Sequence, residues 1–181
     1  ANPNGITCDG CGFIGTPHVQ LTTGRPFWAN EALRFDVTGG RIDIGGSGLA
    51  ALAARIDLIA QTVRTRGELR TTGDAKLFAG RAVVDSMSMV PDDLAAYPQG
   101  SDDLIAIDIG QTVSAGSIQL IAMGENIGVR TSAPLLAAAD ILIASRQTVL
   151  IDGAVSAGRD VALYNIGATD SALSTRVEAG R

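Results

Sequence analysis

Short runs in which apolar and polar residues alternate return along this chain at a nearly constant interval. Alternation with a period of two indicates a strand with one buried face. Successive runs lie 19, 43, 23 and 20 residues apart, and they begin at Ile56, Ala75, Ile118, Ile141 and Val161. A second series keeps an interval of 20 residues, from Val63 to Val83 and from Val129 to Val149. The pattern therefore repeats about every 20 residues.

An interval of this length has no room for a long helix and predicts a β-solenoid. In such a fold each coil supplies a few short strands, which pair in parallel with the same strands of the next coil. The aliphatic residues expected to point inward and stack from coil to coil are Ile118, Leu120, Ile141, Ile143, Val161 and Leu163. The interval of 43 residues requires either an insertion or an unrecognised coil.

Residues 84–106 have the composition of that insertion. Two prolines, adjacent aspartates and a Gly-Ser step predict an exposed excursion from the solenoid. A calcium site on these aspartates is a weaker alternative, because the segment lacks the spaced oxygen ligands of an EF-hand loop. We therefore expect one β-solenoid domain over residues 1–181, with an extra-helical insertion at about 84–106.

Composition supports a narrow, strand-built interior. Glycine accounts for 22 of the 181 residues, whereas aromatic residues make up only 4%. The net charge of −5, without a basic stripe, argues against nucleic acid as a partner. The chain begins at Ala1 without an initiator Met or a signal segment, which leads us to expect a fragment of a larger protein.

Residues 40–70 contain an alternative to this fold. A strand-like run is followed by Gly46-Ser47-Gly48 and by apolar residues at helical spacing from Leu49 to Val63, as in a dinucleotide site. No second strand–helix–strand unit follows, so we favour solenoid strands here and expect no cofactor.

The first residues of the chain predict tight turns. Pro3 followed by Asn4-Gly5 is a turn signal, and Cys8 and Cys11 flank a second one. A turn brings its first and fourth Cα atoms close enough for a disulfide, which is the favoured state of the pair. Two reduced thiols, or a redox or metal site, remain alternatives.

The same stretch carries a family resemblance. Asn-Pro-Asn-Gly-Ile at residues 2–6, Cys-Asp-Gly-Cys-Gly-Phe-Ile at residues 8–14 and Leu-Thr-Thr-Gly-Arg-Pro at residues 21–26 resemble the secretion domain of the filamentous haemagglutinin family. These proteins are the large exoproteins of bacterial two-partner secretion, and they include haemagglutinin-like adhesins and contact-dependent growth-inhibition toxins. The resemblance continues at Phe35–Ile42, Ile107–Ile109 and Ile118–Ile121.

This resemblance implies a right-handed parallel β-helix that is exported through the periplasm of a Gram-negative bacterium to the cell surface. It implies a partner, an outer-membrane transporter with periplasmic recognition domains. The secretion motif carried over is Asn2, Pro3, Asn4, Gly5 and Ile6. A host or target-cell surface is a further partner that fits the family.

We therefore predict a non-enzymatic secretion and structural module, with no catalytic residue, metal or cofactor. The single histidine, His18, has no recognisable partners for a catalytic triad and is expected to be an exposed strand or loop residue. The alternative is a β-helix polysaccharide lyase or hydrolase, for which Asp57 and Lys76 have a suitable spacing. Open solenoid ends also predict self-association.

Overall fold

The structure, a computed structural model, describes residues 1–51, 55–92, 105–124, 127–165, 172–173 and 177–180 of the chain. Every regular element within these ranges is a β-strand, which confirms the all-β prediction. The strands up to the end of the third coil are β1 (Ile6–Cys8), β2 (Cys11–Phe13), β3 (His18–Thr22), β4 (Arg25–Ala29), β5 (Ala32–Val37), β6 (Arg41–Ile44), β7 (Leu49–Ala51), β8 (Arg55–Ala60), β9 (Thr62–Thr65), β10 (Leu69–Thr71) and β11 (Asp74–Ala79).

Among the described residues, the later strands comprise two that leave the coils, β12 and β13, and eleven that continue them. They are β12 (Ala82–Asp85), β13 (Pro91–Asp92), β14 (Ile105–Ile109), β15 (Val113–Ala115), β16 (Ile118–Ala122), β17 (Ile127–Thr131), β18 (Leu135–Ala137), β19 (Ile141–Ser145), β20 (Thr148–Ile151), β21 (Val155–Ala157), β22 (Val161–Asn165), β23 (Ala172–Leu173) and β24 (Val177–Ala179).

Strands at the same position of successive coils form three parallel sheets, the arrangement of a parallel β-helix. Sheet A has the order β1-β6-β9-β14-β17-β20-β23, sheet B the order β2-β7-β10-β15-β18-β21-β24, and sheet C the order β22-β19-β16-β11-β8-β3. Sheet D, with the order β13-β12-β5-β4, is antiparallel. Two excursions from the coils, β4–β5 and β12–β13, build this fourth sheet.

The five alternating runs predicted from the sequence pair with one another in sheet C. Their first residues are direct neighbours across it, in the order Ile56, Ala75, Ile118, Ile141 and Val161. The interval of 43 residues is therefore a single step of the sheet, and an excursion rather than an unrecognised coil fills it. Residues 93–104 of that excursion, with most of its aspartates, lie outside the described residues.

The second predicted series is correct in one step and wrong in the other. Val129 pairs with Val149 in sheet A. Val63 pairs with Ile107, however, whereas Val83 lies in β12 and pairs with Asp92 in sheet D. Equal spacing along the chain does not distinguish a strand of the next coil from a strand that leaves the solenoid.

Aliphatic side chains stacked from coil to coil fill the interior between sheets A, B and C. Ile118, Leu120, Ile141 and Ile143 are buried, as predicted. At about 1.5–3 kcal/mol for each fully buried aliphatic side chain, these stacks are the main stabilising contribution. Leu163, in contrast, remains 36% exposed, because β22 is the edge strand of sheet C among the described residues.

A second hydrophobic core lies where sheet D covers the outer face of sheet C. Phe35 and Val84 of sheet D share this core with Ile59, Phe78 and Ile121 of sheet C, and all five side chains are buried. The β4–β5 hairpin in this sheet was not predicted. Asn30 and Glu31, with φ of 51° and 62°, close it as a two-residue loop, a conformation that matches strand twist.

The stretch that resembled a dinucleotide site is built from strands. Gly46 and Gly48 form a turn that leads into β7, and residues 55–60 form β8 where a nucleotide-binding helix would be required. Residues 52–54 lie outside the described residues.

No helix among the residues that the structure describes is long and apolar enough to cross a membrane.

Candidate functional site

The Asn-Pro-Asn-Gly-Ile motif forms a tight turn at the N-terminal end of the β-helix. The backbone N–H of Gly5 donates to the carbonyl of Asn2 at 3.1 Å, and the N–H of Asn4 donates to Oδ1 of Asn2 at 3.2 Å. Gly5 has a φ of 119°, and a Cβ there would lie 3.1 Å from the carbonyl oxygen of Arg41. Both facts favour glycine at this position.

The turn is attached to the coils at both of its ends. The N–H of Asn2 donates to the carbonyl of Thr22 at 2.9 Å, and Ile6 pairs with Ile42 in sheet A. Ile6 packs against the solenoid core, while Asn2, Pro3 and Asn4 are exposed. The motif therefore presents a rigid polar turn to solvent beside a groove lined by Asn4, Gly5, Ile6, Thr7, Arg41 and Asp43.

A disulfide joins Cys8 and Cys11 across the next corner. Their Cα atoms are 5.6 Å apart, within the usual range for this bond. Between them, Asp9 accepts a hydrogen bond through Oδ1 from the backbone N–H of Ser47 at 2.7 Å. The N–H of Gly10 donates to the carbonyl of Gly48 at 2.9 Å. The clip therefore fixes a corner of the first coil that is bonded to the second.

A buried carboxylate, that of Asp57, lies beneath the second excursion, and the sequence analysis predicted neither its burial nor its partners. The side chain of Asp57 has 0% exposure, and its Oδ2 lies 2.6 Å from Nε2 of His18. Arg55 donates through Nε to Oδ1 of Asp57 at 2.7 Å. Gln20 donates to Oδ2 of Asp57 at 2.9 Å and to the carbonyl of Ser86 at 2.5 Å. These residues, His18, Gln20, Arg55, Asp57 and Ser86, are called the Asp57 cluster below.

The expectation of an exposed histidine without partners is therefore wrong. His18 lies on β3 with 29% of its side chain exposed, and it pairs with Asp57. The cluster links β3 and β8 of the first two coils to the turn after β12. Register places Gln20 beside Asp57, but the unpredicted hairpin between them hid this neighbour relation in the sequence.

The residues suggested for a carbohydrate enzyme do not form an accessible site. Lys76 neighbours Asp57 in sheet C as its spacing suggested, but the carboxylate of Asp57 is buried and already accepts its hydrogen bonds. Asp140 binds Arg159 at a solvated corner, and Asp160 is exposed. No group of three or more potential metal ligands occurs among the described residues.

Two charged groups at the surface have altered proton affinities. Backbone N–H donation from Ser88, together with the Ser88 hydroxyl, the N–H of Met87 and the charge of Arg34, lowers the pKa of Asp85. The hydrogen bond from its guanidinium to the carboxylate of Asp140 raises the pKa of Arg159. Both groups therefore keep their charged forms over a wider pH range than usual.

The three parallel sheets and the exposed N-terminal turn define the class of protein, which is a parallel β-solenoid. The family model described as the TPS secretion domain matches residues 1–163. The chain belongs to this family, and the resemblance read from its N-terminal motifs is confirmed.

Relatives and a solved structure agree with this assignment. The chain is 35% identical over 167 residues to "tRNA nuclease CdiA" of Yersinia mollaretii, which covers 90% of the chain and 6% of that protein. It is 31% identical to "Hemolysin" of Proteus mirabilis over 79% of the chain and 9% of that protein. The crystal structure of the filamentous hemagglutinin secretion domain superposes with a TM-score of 0.82 at 21% identity, covering 99% of this chain and 65% of that one.

The right-handed β-helix, the secretion-module function and the route through the periplasm to the cell surface are thereby confirmed. A TPS secretion domain implies a partner transporter in two-partner secretion. The chain spans only a small part of its CdiA and hemolysin relatives, about a tenth of their length or less.

Proposed function

We propose that the turn formed by Asn2–Ile6 is the surface that the periplasmic domains of the outer-membrane transporter recognise. The observation that supports this proposal is that the turn is exposed yet rigid, held by Gly5 and bonded to Thr22. A preformed polar turn loses little conformational entropy on binding. The motif therefore acts as a docking signal, and the coils behind it hold it in place.

Asn4→Ala tests this role, because the Asn4 side chain is exposed while its backbone forms the turn. Gln111→Ala is the matched control, because it removes an exposed side-chain amide outside the motif and outside the groove beside it. We expect Asn4→Ala to weaken binding of the purified chain to the periplasmic domains at least tenfold, with an unchanged thermal midpoint. Secretion of the exoprotein should fall in parallel. Equal affinity of the Asn4→Ala and Gln111→Ala variants would refute the proposal.

The coils then fold in order from the N-terminal end as the chain emerges at the cell surface. Each coil of a solenoid contacts only its neighbours, so a folded coil offers the template for the next. Parallel pairing of successive coils in sheets A, B and C supports this mechanism. The motif turn and the Cys8–Cys11 clip both lie in the most N-terminal of the described coils, onto which the next coil pairs.

The chain has no catalytic role of its own in this proposal. The one acid suggested by the enzyme alternative is buried, so the nuclease activity named for the CdiA relatives is assigned to other parts of those proteins. We propose that the parent is a contact-dependent growth-inhibition toxin, whose distal parts meet the target-cell surface. Incubation of the purified chain with tRNA and with polysaccharides should release no product, and cleavage of either would overturn this assignment.

Self-association of this chain along β22 is a further proposal. Among the described residues β22 is an edge strand of sheet C, and its Leu163 and Tyr164 are exposed. Unpaired strand edges with apolar side chains favour pairing with a second chain. Leu163→Lys should reduce dimers seen by sedimentation, whereas Leu136→Lys, on a strand inside sheet B, should not. A monomeric parent chain at high concentration would refute this proposal.

A further inference from the structure

Four charged residues of alternating sign form one column on the outer face of sheet A. Asp43 of β6 neighbours Arg64 of β9, and Arg64 neighbours Asp108 of β14. Asp108 in turn neighbours Arg130 of β17. Adjacent strands lie about 4.8 Å apart, so the two inner charges have an opposite charge on either side.

Arg130 and Asp108 are in direct contact across the coils. Asp43 accepts a hydrogen bond from Arg41 of its own strand, and its place beside Arg64 follows from the strand register. Arg130 donates to Asp108 in a two-point contact, from Nε to Oδ1 and from Nη2 to Oδ2, both at 3.0 Å. Asp108 and Asp43 retain only 20% and 18% of their side-chain exposure. Partial burial reduces screening by solvent and salt, so these contacts are stronger than fully exposed pairs.

The sequence spacing does not reveal this column. The step from Arg64 to Asp108 spans the second excursion, yet Asp108 lies in the same column as the others. The corresponding outward column of sheet B lacks the alternation. Among the described residues it contains, in order, Gly12, Ala50, Arg70, Ser114, Leu136, Ser156 and Glu178.

The inward position next to the column is similar in four successive coils. The residues that precede the column charges and point inward are all β-branched and buried: Ile42, Val63, Ile107 and Val129. If a coil were skipped during folding, one of these side chains would occupy the place of another at little cost, since volume-conserving swaps are tolerated. Hydrophobic stacking at this position therefore leaves the order of the coils open.

We propose that the alternating charges of Asp43, Arg64, Asp108 and Arg130 fix the order in which the coils stack. Because the signs alternate, skipping one coil places like charges side by side: Asp43 beside Asp108, or Arg64 beside Arg130. Repulsion between the misplaced neighbours then disfavours the skipped register. The inference rests on the coil-by-coil folding proposed above, and it says which coil pairs next at each step.

A disulfide trap for the skipped register tests this inference. Ala50, Arg70 and Ser114 are successive neighbours in sheet B, so positions 50 and 114 are two strands, or about 10 Å, apart in the native fold. A disulfide needs Cα atoms roughly 4.4–6.8 Å apart. If the coil of β9–β11 is skipped, the two positions become neighbours. In the variant Ala50→Cys/Ser114→Cys, a bond between positions 50 and 114 therefore forms only in the wrong register.

The charges of the column are then changed in the Ala50→Cys/Ser114→Cys variant. D108R places a like charge beside Arg64 and an opposite charge beside Asp43 in the skipped register. Refolding from urea under oxidising conditions at low salt should raise the cross-linked fraction severalfold over the parent trap, measured by mass spectrometry. E68R changes the net charge equally at an exposed position off the column, and it should leave the fraction unchanged. D43R/R64D/D108R/R130D reverses all four charges, so it restores the alternation and should return the fraction to the parent level.

Salt and a neutral variant complete the design. At about 1 M salt the Debye length falls to roughly 3 Å, so the excess cross-linking of D108R should disappear. D108N removes attraction without adding repulsion and should give a smaller increase, which keeps the test valid if D108R fails to fold. Equal cross-linking in D108R and E68R, or a persistently high fraction in D43R/R64D/D108R/R130D, would overturn the proposal. The assay uses no transporter, so its result is independent of the Asn4→Ala experiment.

Discussion

Replacing Asp57 with alanine removes the carboxylate on which the Asp57 cluster converges. The side chain has 0% exposure and accepts hydrogen bonds from Arg55 at 2.7 Å and from Gln20 at 2.9 Å, with His18 at 2.6 Å. The substitution leaves the partially buried guanidinium of Arg55 without its counter-charge. It also removes the acceptor through which Gln20 connects β8 to the turn at Ser86.

Breaking a buried ion pair by removing one partner costs about 3–5 kcal/mol. His18 keeps 29% of its side chain exposed and can be rehydrated, so we expect the lower part of that range. A loss of 1 kcal/mol lowers the thermal midpoint by about 2–4 °C in a domain of this size. Asp57→Ala should therefore lower the midpoint by about 6–16 °C.

Equilibrium unfolding in urea, followed by circular dichroism, measures the free energy of unfolding directly. Asp160→Ala is the matched control, because Asp160 is exposed at a corner. Its free energy of unfolding should stay within about 0.5 kcal/mol of the parent value. A loss of under about 1 kcal/mol for Asp57→Ala would show that the Asp57 cluster does not join the excursion to the coils, and the reasoning from burial would then fail.

Three further predictions concern the interior, a corner and a surface turn. Ile143→Ala should lower the free energy of unfolding in urea by about 2–5 kcal/mol, because the side chain is buried between coils. Leu142 is half-buried and points outward, so a similar loss for Leu142→Ala would contradict that assignment. Gly67→Ala should lower the thermal midpoint sharply, because its Cβ would lie 2.0 Å from a backbone carbonyl oxygen. A Cβ at Gly46 would have nothing within 4 Å, so Gly46→Ala should leave the midpoint unchanged. Equal midpoints of the two variants would refute the contact at Gly67. Asp85→Ala should lose about 0.5–1.5 kcal/mol at neutral pH. The lowered pKa of Asp85 means that its contribution is present above the ordinary value of 3.8 and is lost as pH falls through the lower folded value. A difference from the parent that persists in strong acid would contradict this account.

The turn and strand signals in the sequence are local, and the structure follows them closely. Asn4-Gly5 forms the turn that its composition indicates, and the residues around Cys8 and Cys11 form a corner closed by a disulfide. The Asp57 cluster had no comparable signal. Its members are brought together by strands up to 66 residues apart, across an unpredicted hairpin.

The amino-acid sequence by itself determined the repeating coil and the pairing of the five alternating runs in sheet C. It could do so because strand burial has a period of two and each coil returns after a similar number of residues, so periodicity alone specifies which side chains stack. Only the tertiary structure decided where the chain leaves the coils, which carboxylate is buried beneath the excursion, and which charges share a column on sheet A. Those relations depend on excursions of unequal length between coils, and no period in the sequence records them.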